Sequence, residues 1–298
     1  MRSSIRHLSS VNGSPIFAAA EFKKTVHLFR TGCPDAERTI FTNLDYGGNR
    51  LQIVPQRNML IAGAYHVHGI EGYDLTTGRR CWQRRDLKKV RSIRRNPLDE
   101  SISCFFENRA GVVIDVLTGA VLSDYRGVRD IYFSHDGILE LHERQSKYRI
   151  YREKKEELDV NAESFGLLDA AFSKNQVALS EGGAAVRIYS LDSGVLDGRY
   201  EPPAGYHMLV IKHDPKADEF VGILWGYQSA ADYFLVRLSQ NGRELCRYGL
   251  SDGYASAFLH DRESALLASG REIDLRSGDE AFRYNFPMDD ENSAPTNK

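Results

Sequence analysis

The chain has 298 residues, of which 42% are hydrophobic and 27% are charged. This composition excludes a disordered chain, because enough apolar surface is present to form a large core. The formal net charge of −2 excludes a strong overall attraction to nucleic acid or acidic membranes, so any electrostatic partner has to be recognised by a local patch. No apolar run is long enough to span a bilayer, and residues 1–21 lack the unbroken apolar stretch of a secretory signal, which predicts a cytoplasmic protein.

A short strand that ends in a polar turn recurs along the chain. The turns fall at Gly32, Gly78, Gly119, Lys155, Gly194, Gly242 and Gly278. Their separations are 46, 41, 36, 39, 48 and 36 residues and average 41, which is the period of a four-stranded propeller blade. The fourth turn lacks the glycine.

The unit around Gly119 shows how each repeat is built. Three apolar strands and one outer strand are predicted at 90–95, 101–106, 111–116 and 120–125, separated by polar turns. Glycine supplies the positive φ of such turns, and Asn, Asp, Ser and Thr stabilise them through side-chain to backbone hydrogen bonds. We therefore predict an all-β fold, a seven-bladed β-propeller of four-stranded antiparallel blades.

The repeat count assigns residues 1–287 to a single propeller. Each blade supplies all four of its strands, so no spare strand remains for a swapped closure, and we expect the first and last blades to close the ring by packing. Residues 288–298, which are acidic and contain Pro295, are predicted to form a disordered tail.

One repeat carries a more specific pattern. The stretch from Tyr73 to Trp82 contains Asp-x-x-Thr-Gly-x-x-x-Trp, and the stretch from Ile114 to Gly119 contains its first half. This pattern resembles the tryptophan-docking repeat of pyrroloquinoline-quinone-type propellers. Tryptophan-aspartate-repeat propellers are similar only in repeat length and strand layout, since no Trp-Asp dipeptide ends a blade. The resemblance implies the fold and no particular activity.

The strongest local charge lies between residues 79 and 95, with nine cations and the single acid Asp86, a net charge of +8. Guanidinium groups bind carboxylates and phosphates bidentately, so this run predicts a surface for an acidic protein or a phosphate-rich partner. The alternative is a solvated edge neutralised by Glu153, Glu156, Glu157 and Asp159. The predicted partner-binding residues are Arg79, Arg80, Arg84, Arg85, Lys88 and Lys89.

The innermost strands should line a central channel. The turn alignment places Asp130 and Asp169 at equivalent positions of consecutive blades, with Arg91 and Arg129 nearby. Two carboxylates that face one channel could hold a divalent cation or act as an acid and a base. The alternative is that they accept hydrogen bonds across blades or line a water-filled tunnel.

Histidines, aromatic residues and cysteines give weaker signals. His66 and His68 share one face of a strand, but no third ligand is identifiable, so we predict no metal site. Tyr206, His207 and the stretch 225–227 are candidate binding aromatics or packing residues of strands. The four scattered cysteines have the spacing of neither a disulfide framework nor a zinc ribbon, which indicates free thiols in a reducing compartment.

The usual enzyme signatures are missing, including the phosphate-binding loop, the Gly-x-Ser-x-Gly elbow and the His-Glu-x-x-His helix. We therefore predict a non-enzymatic protein-binding propeller without a cofactor. By resemblance to lone cytosolic propellers of bacteria, a concrete version is an inhibitor or immunity protein that occludes a toxin or enzyme. The alternative is a metal-dependent hydrolase, such as a lactonase, or a lyase that uses the central channel.

Overall fold

The computed structural model describes residues 4–11, 13–21, 24–43, 50–64, 68–164, 166–182, 185–226, 232–250, 256–259 and 263–288. Blade 1 consists of β1 (Ile5–Ser9), β2 (Ile16–Glu21), β3 (Thr25–Arg30) and β4 (Ala36–Phe41). Blade 2 consists of β5 (Arg50–Val54), β6 (Met59–Gly63), β7 (Ile70–Asp74) and β8 (Arg80–Arg84), with a 3-10 helix at Pro55–Arg57 between its first two strands. Blade 3 consists of β9 (Val90–Arg95), β10 (Ile102–Phe106), β11 (Gly111–Ile114) and β12 (Val121–Tyr125).

The second half of the chain repeats this plan. Blade 4 consists of β13 (Asp130–Phe133), β14 (Leu139–Glu143), β15 (Lys147–Arg152) and β16 (Lys155–Asn161). Blade 5 consists of β17 (Leu167–Phe172), β18 (Gln176–Glu181), β19 (Val186–Ser190) and β20 (Leu196–Tyr200). Blade 6 consists of β21 (Tyr206–Asp214), β22 (Glu219–Gly226), β23 (Tyr233–Leu238) and β24 (Glu244–Leu250). Blade 7 consists of β25 (Ser256–Leu259), β26 (Ser264–Leu267), β27 (Arg271–Asp274) and β28 (Glu280–Arg283).

Every blade is an antiparallel sheet whose four strands follow one another in sequence order. The first strands of neighbouring blades lie side by side, as β1 does with β5 and with β25, so the first strand of each blade is innermost and the fourth is outermost. The predicted seven-bladed propeller is confirmed. Among the described residues, no helix is long and apolar enough to cross a membrane.

The turns between the third and fourth strands have the predicted chemistry. Gly78, Gly119 and Gly278 have φ values of +71°, +70° and +77°, in the region where a β-carbon is disfavoured. Upstream of Gly78, the carboxylate of Asp74 accepts hydrogen bonds from the backbone N–H and the hydroxyl of Thr77, at 2.6 and 2.8 Å. The Asp-x-x-Thr-Gly sequence therefore fixes its turn by side-chain capping.

The turn between the third and fourth strands of blade 4 lies slightly before the position predicted from the repeats. Lys155 was predicted to lie in this turn, but it is the first residue of β16. Glu153 and Lys154 form the turn, with φ values of +48° and +69°. A two-residue hairpin requires both central residues to have positive φ, so this shorter turn replaces the glycine turn of the other blades.

Where the next blade has a glycine turn, the outer strand packs on it. A β-carbon built on Gly119 would lie 2.6 Å from the ring of Trp82, whose indole N–H donates to the Val116 carbonyl at 2.8 Å. Likewise, the ring of Tyr248 covers Gly278 and its hydroxyl donates to the Arg276 carbonyl at 2.5 Å. The turn glycines therefore have two roles: they adopt the positive φ of the turn, and their lack of a side chain allows the neighbouring blade to pack closely.

The ring closes by the same kind of packing. Each blade contains its own four strands, as predicted, and the described residues form no swapped strand. The hydroxyl of Tyr284 accepts a hydrogen bond from Gly32 N–H at 3.1 Å, and Asn285 N–H donates to the Pro34 carbonyl at 2.7 Å. Phe17 meets the Tyr284 ring edge-on at 4.9 Å. Of the predicted tail, residues 289–298 lie outside the described residues.

We predict that Gly119→Ala lowers the free energy of unfolding by roughly 3 kcal/mol, because a methyl group adds overpacking against Trp82 to the cost of positive φ. Gly13→Ala is the matched control. Gly13 has φ +75° but no atom within 4 Å of its hypothetical β-carbon, so this variant should lose only about 1 kcal/mol. Urea unfolding monitored by circular dichroism measures both values. Equal losses in the two variants would contradict the role assigned to the Trp82 contact.

Candidate binding surface

The basic run does not form one continuous patch. Arg79 precedes β8 and Arg80 begins it, whereas Arg84 ends this five-residue strand, about 13 Å away at the usual rise per residue. The strand crosses the blade from the face of the third-to-fourth turns to the face of the fourth-to-first connections. The structure therefore brings together Arg84 and the following connection, and places Arg79 and Arg80 towards the opposite face.

Arg80 and Arg84 each bind a neighbouring part of the fold. Arg80 donates to the fully buried carboxylate of Glu71 at 2.9 Å, and this carboxylate also accepts the Asn43 backbone N–H at 3.1 Å. Arg84 pairs with Asp86 at 2.7 Å and donates to the Gly119 carbonyl at 2.8 Å. Arg80 thus secures the chain entering blade 2, and Arg84 joins blade 2 to blade 3.

The connection from β8 to β9 carries the more available cations. Leu87 is fully buried and anchors this connection, while Arg85 and Lys88 are exposed. Neither Arg85 nor Lys88 has an acidic partner among the described residues, and the Arg85 guanidinium donates to the Gln83 side-chain oxygen at 3.3 Å. Lys89 pairs with Glu107 at 3.2 Å.

Arg109 adds to this surface and was not predicted from the sequence. It is exposed on the loop between β10 and β11, and its guanidinium donates to the Asp86 carbonyl at 3.5 Å. The guanidinium also stacks on Phe106, 5.1 Å from the ring centroid. Second-to-third loops and fourth-to-first connections lie on the same face of an up-and-down blade, a geometric signal that could have identified Arg109. We refer to Arg85, Lys88 and Arg109 as the basic triad.

Three of the four acids proposed as neutralising partners, Glu156, Glu157 and Asp159, pair with cations of their own blade. Glu157 pairs with Arg152 at 2.8 Å and Asp159 pairs with Lys147 at 3.1 Å, both within blade 4. Nearer acids neutralise six cations of the basic run in the described part of the chain. Their acidic partners are Glu71, Asp86, Glu107, Glu143, Asp130 and Glu100. Arg79 and the basic triad are exposed without an ion pair in the described part of the chain, and the triad lies on the face opposite Arg79.

In the channel, Asp130 is buried and bound to the preceding blade. The hydroxyl of Ser92 donates to it at 2.7 Å, and the Arg94 guanidinium pairs with it at 3.1 Å. Arg94 also stacks over the ring of Tyr132 at 4.2 Å. Asp130 therefore links blades 3 and 4.

Asp169 is bound to the following blade. Its carboxylate accepts the backbone N–H of Ile211 at 3.0 Å and pairs with Lys212 at 3.1 Å. Asp130 and Asp169 therefore accept hydrogen bonds from a neighbouring blade, which is the structural alternative predicted from the sequence. Because their oxygens are already occupied by protein donors, little coordination capacity remains for a cation.

Arg91 and Arg129 both lie beside Glu143. Arg91 pairs with this carboxylate at 3.4 Å, and the backbone N–H of Arg129 donates to the Glu143 carbonyl at 2.7 Å. Burial raises the pKa of Glu143 above its usual value. No group of three or more potential metal-ligating side chains occurs in the described part of the chain.

The remaining histidine and aromatic candidates either pack within strands or lie outside the described residues. His66 lies outside the described residues, so the pair with His68 is untested. Tyr206 meets Phe234 edge-on at 5.6 Å, and Trp225 packs against the core between blades 6 and 7. Tyr227 also lies outside the described residues. Tyr206 and Trp225 therefore contribute to strand packing.

The four cysteines are unpaired thiols, as the sequence indicates. Cys33 and Cys81 are exposed, while Cys104 is buried. Burial raises the pKa of the Cys104 thiol, which keeps it protonated and unreactive.

Sequence reasoning also missed a groove on the outer rim between blades 3 and 4. Its volume is about 270 Å³, and Tyr125, His142 and Tyr151 contribute rings to its wall. The missing glycine in the fourth turn was a signal for an unusual junction, but the sequence alone does not show how neighbouring blades pack.

Comparisons with known proteins support the fold. The chain has 9% sequence identity to the β-propeller domain of Myceliophteria thermophila Cps50 (Swd1), with a TM-score of 0.71 over 93% of this chain and 95% of that one. It has 14% identity to the computationally designed Ika8 protein, with a TM-score of 0.61 over 90% of this chain and 93% of that one. At these identities the similarity concerns the fold alone. No protein-family model matches, so the resemblance to pyrroloquinoline-quinone-type repeats gains no support, and no curated protein sequence matches.

We predict that His7, on the innermost strand of blade 1, makes stability depend on pH. Burial, together with the charges of Arg50 and Arg94, lowers the pKa of His7 to about 3. The unfolded chain takes up this proton near pH 6.5 and the folded chain does not, so falling pH favours unfolding. The wild type should lose up to about 2 kcal/mol more than His7→Gln between pH 7 and pH 5.

Urea unfolding of both proteins at the two pH values measures this difference. Because the other histidines are common to both proteins, their contributions cancel. Parallel losses of stability in the wild type and His7→Gln would contradict a neutral His7 in the channel.

Proposed function

We propose that this chain is a non-enzymatic protein-binding propeller that recognises an acidic protein surface through the basic triad and the adjoining Arg84 and Lys89. The observation that carries the proposal is the exposure of Arg85 and Lys88 without acidic partners among the described residues, beside the exposed Arg109. Exposed charges of one sign accelerate association with an oppositely charged partner and select against wrong partners.

The channel contacts favour a binding role over catalysis. An acid and base pair needs carboxylates that are accessible to a substrate, whereas Asp130 and Asp169 are buried and bonded across blades. A propeller fold serves many functions, so the fold alone does not decide between binding and catalysis. The hydrolase or lyase alternative needs reactive groups in the channel. The hydrogen bonds and ion pairs of Asp130 and Asp169 favour a structural role for these two residues.

The finer version of the proposal is a cytoplasmic inhibitor or immunity protein whose triad face covers a toxin or enzyme. The exposed thiols of Cys33 and Cys81 are compatible with a reducing compartment. A rigid ring supports such occlusion, because a preformed surface loses little entropy on binding.

We predict that reversing the triad, with Arg85→Glu, Lys88→Glu and Arg109→Glu, abolishes capture of the partner from the native cell. These residues are exposed, so the melting temperature should stay within a few degrees of the wild type. With the captured partner purified, the wild-type association rate should fall as salt rises, because exposed charges are screened over about 8 Å at physiological ionic strength. The reversed protein should associate slowly, with a flatter salt dependence.

The matched control reverses three exposed cations on the opposite face, with Arg57→Glu, Arg79→Glu and Lys174→Glu. It changes the net charge by the same amount, so it separates a local surface from the overall charge. The control should capture the partner at the wild-type rate. Equal capture by both variants would contradict the triad as the recognition surface, and a partner that is an enzyme with unchanged activity in the complex would contradict the inhibitor version.

A further inference from the structure

The innermost strands carry more positive than negative charge. Within their described bounds, the first strands of the seven blades contain six arginine or lysine residues and three aspartates. The cations are Arg6, Arg50, Arg91, Arg94, Arg95 and Lys212, and the acids are Asp130, Asp169 and Asp214. The whole chain has a net charge of −2, so this surplus of three positive charges is a local feature of the innermost strands.

Three ion pairs of the channel wall bury the acid and leave the cation accessible. The exposed fractions of the cation and the acid are 40% and 1% for Arg91 and Glu143, 31% and 4% for Arg94 and Asp130, and 37% and 8% for Lys212 and Asp169. Because the three cations lie on innermost strands, their accessible parts face the channel. An enclosed space lined by charges of one sign concentrates their field and attracts the opposite charge.

Arg50 brings a further guanidinium group towards Arg91. Arg50 is the first residue of β5 in blade 2, and its Nε atom donates to the Arg91 carbonyl in blade 3. Arg91 and Arg94 both belong to β9. Two neighbouring blades therefore supply three guanidinium groups to the same side of the channel.

His7 approaches this cluster from blade 1. Burial and then the charges of Arg50 and Arg94 lower the pKa of His7, so both guanidinium groups lie close to its ring. Its Nδ1 atom is buried without a hydrogen-bond partner in the described part of the chain. Buried polar atoms are normally paired, and a neutral imidazole with its proton on Nδ1 can donate to an acceptor.

The arrangement of the donors favours a tetrahedral oxyanion. His7, Arg50 and Arg91 belong to three consecutive blades and therefore approach from different directions. A tetrahedral ion presents oxygens in four directions, whereas a carboxylate presents two oxygens in one plane. Guanidinium groups bind phosphate oxygens bidentately, and the surplus of positive charge favours an ion with two negative charges.

We propose that the central channel binds a doubly charged tetrahedral oxyanion, phosphate or sulfate, between Arg50, Arg91 and Arg94, with His7 donating to one of its oxygens. The terminal phosphoryl group of a phosphomonoester has the same chemistry, and the experiment below separates it from the free ion. This site does not depend on the basic triad or on the protein partner proposed for it.

Titration calorimetry of the full chain, purified without phosphate or sulfate, measures the binding of inorganic phosphate in chloride buffer near neutral pH. We expect a dissociation constant on the order of 0.1 mM. Arg50→Gln and Arg91→Gln should each weaken binding about tenfold, the usual effect of losing one hydrogen bond to a charged group. Sulfate should compete with phosphate for the site.

Arg95→Gln is the matched control. Arg95 is the last residue of the same strand as Arg91, and it pairs with Glu100 of the following turn at 2.5 Å. Its replacement removes one positive charge from β9 outside the proposed site, so phosphate affinity should stay within about twofold of the wild type. Circular dichroism establishes that each variant is folded, and Arg50→Gln keeps the test informative if Arg91→Gln, which removes the partner of the buried Glu143, does not fold.

The protein with the reversed triad, Arg85→Glu, Lys88→Glu and Arg109→Glu, separates this site from the proposed partner surface. It should bind phosphate within about threefold of the wild type, because salt screens the exposed charges. Loss of phosphate binding in this protein with unchanged binding in Arg50→Gln and Arg91→Gln would place the anion on the triad and overturn the proposal.

Glycerol 3-phosphate identifies the source of the oxyanion. Tighter binding of this ester than of inorganic phosphate supports a phosphoryl group, and weaker or equal binding supports the free ion. Three further results would overturn the proposal. These are the absence of binding of both phosphate and sulfate, binding of succinate as tight as that of phosphate, and a loss of affinity in Arg95→Gln equal to that in Arg91→Gln.

Discussion

The contact on which the ring depends is the packing of one blade's outer strand against the third-to-fourth turn of the next blade. The turn must be compact and have no side chain on the facing side, and glycine at positive φ meets both conditions. The contacts pair the side chain of Arg38 with Gly78, Trp82 with Gly119, Leu158 with Gly194, the backbone of Arg199 with Gly242, Tyr248 with Gly278, and Tyr284 with Gly32. Hydrophobic cores between the sheets then form inside this outer frame, and the inner carboxylates of Asp130 and Asp169 connect blades near the channel.

The basic triad and the rim groove lie at two neighbouring junctions where this contact differs. At the junction of blades 2 and 3, Trp82 and Arg84 bind the outer strand of blade 2 to blade 3. The buried Leu87 anchors the connection that follows. Arg85 and Lys88 are therefore exposed to solvent and are not needed for the packing of the blades. At the junction of blades 3 and 4, the facing turn at 153–154 has no glycine, and a groove lined by Tyr125, His142 and Tyr151 opens. The ring thus presents both a charged face and a rim groove.

The sequence predicted much of the fold because the glycine turns recur at a period that only a few architectures use. The bounds of β9 and the turns at Gly78, Gly119 and Gly278 were assigned correctly, whereas Lys155 was misplaced because a two-residue hairpin has no glycine to mark it. The candidate binding sites were harder to predict from the sequence. A run of cations does not show that Arg80 reaches a buried glutamate or that Arg109 lies near Arg85, since such contacts depend on strands far apart in sequence.

The most direct test of the account is native-state hydrogen exchange of amides that bond across blades. Ile53 N–H donates to the Ser9 hydroxyl at 3.2 Å, Ile211 N–H to Asp169 at 3.0 Å, and Asn285 N–H to the Pro34 carbonyl at 2.7 Å. If packing closes the ring as firmly as it joins the other blades, the free energy of opening at Asn285 should lie within about 1 kcal/mol of the values at Ile53 and Ile211. Exchange of Asn285 through a local opening several kcal/mol below the other two would contradict closure by packing.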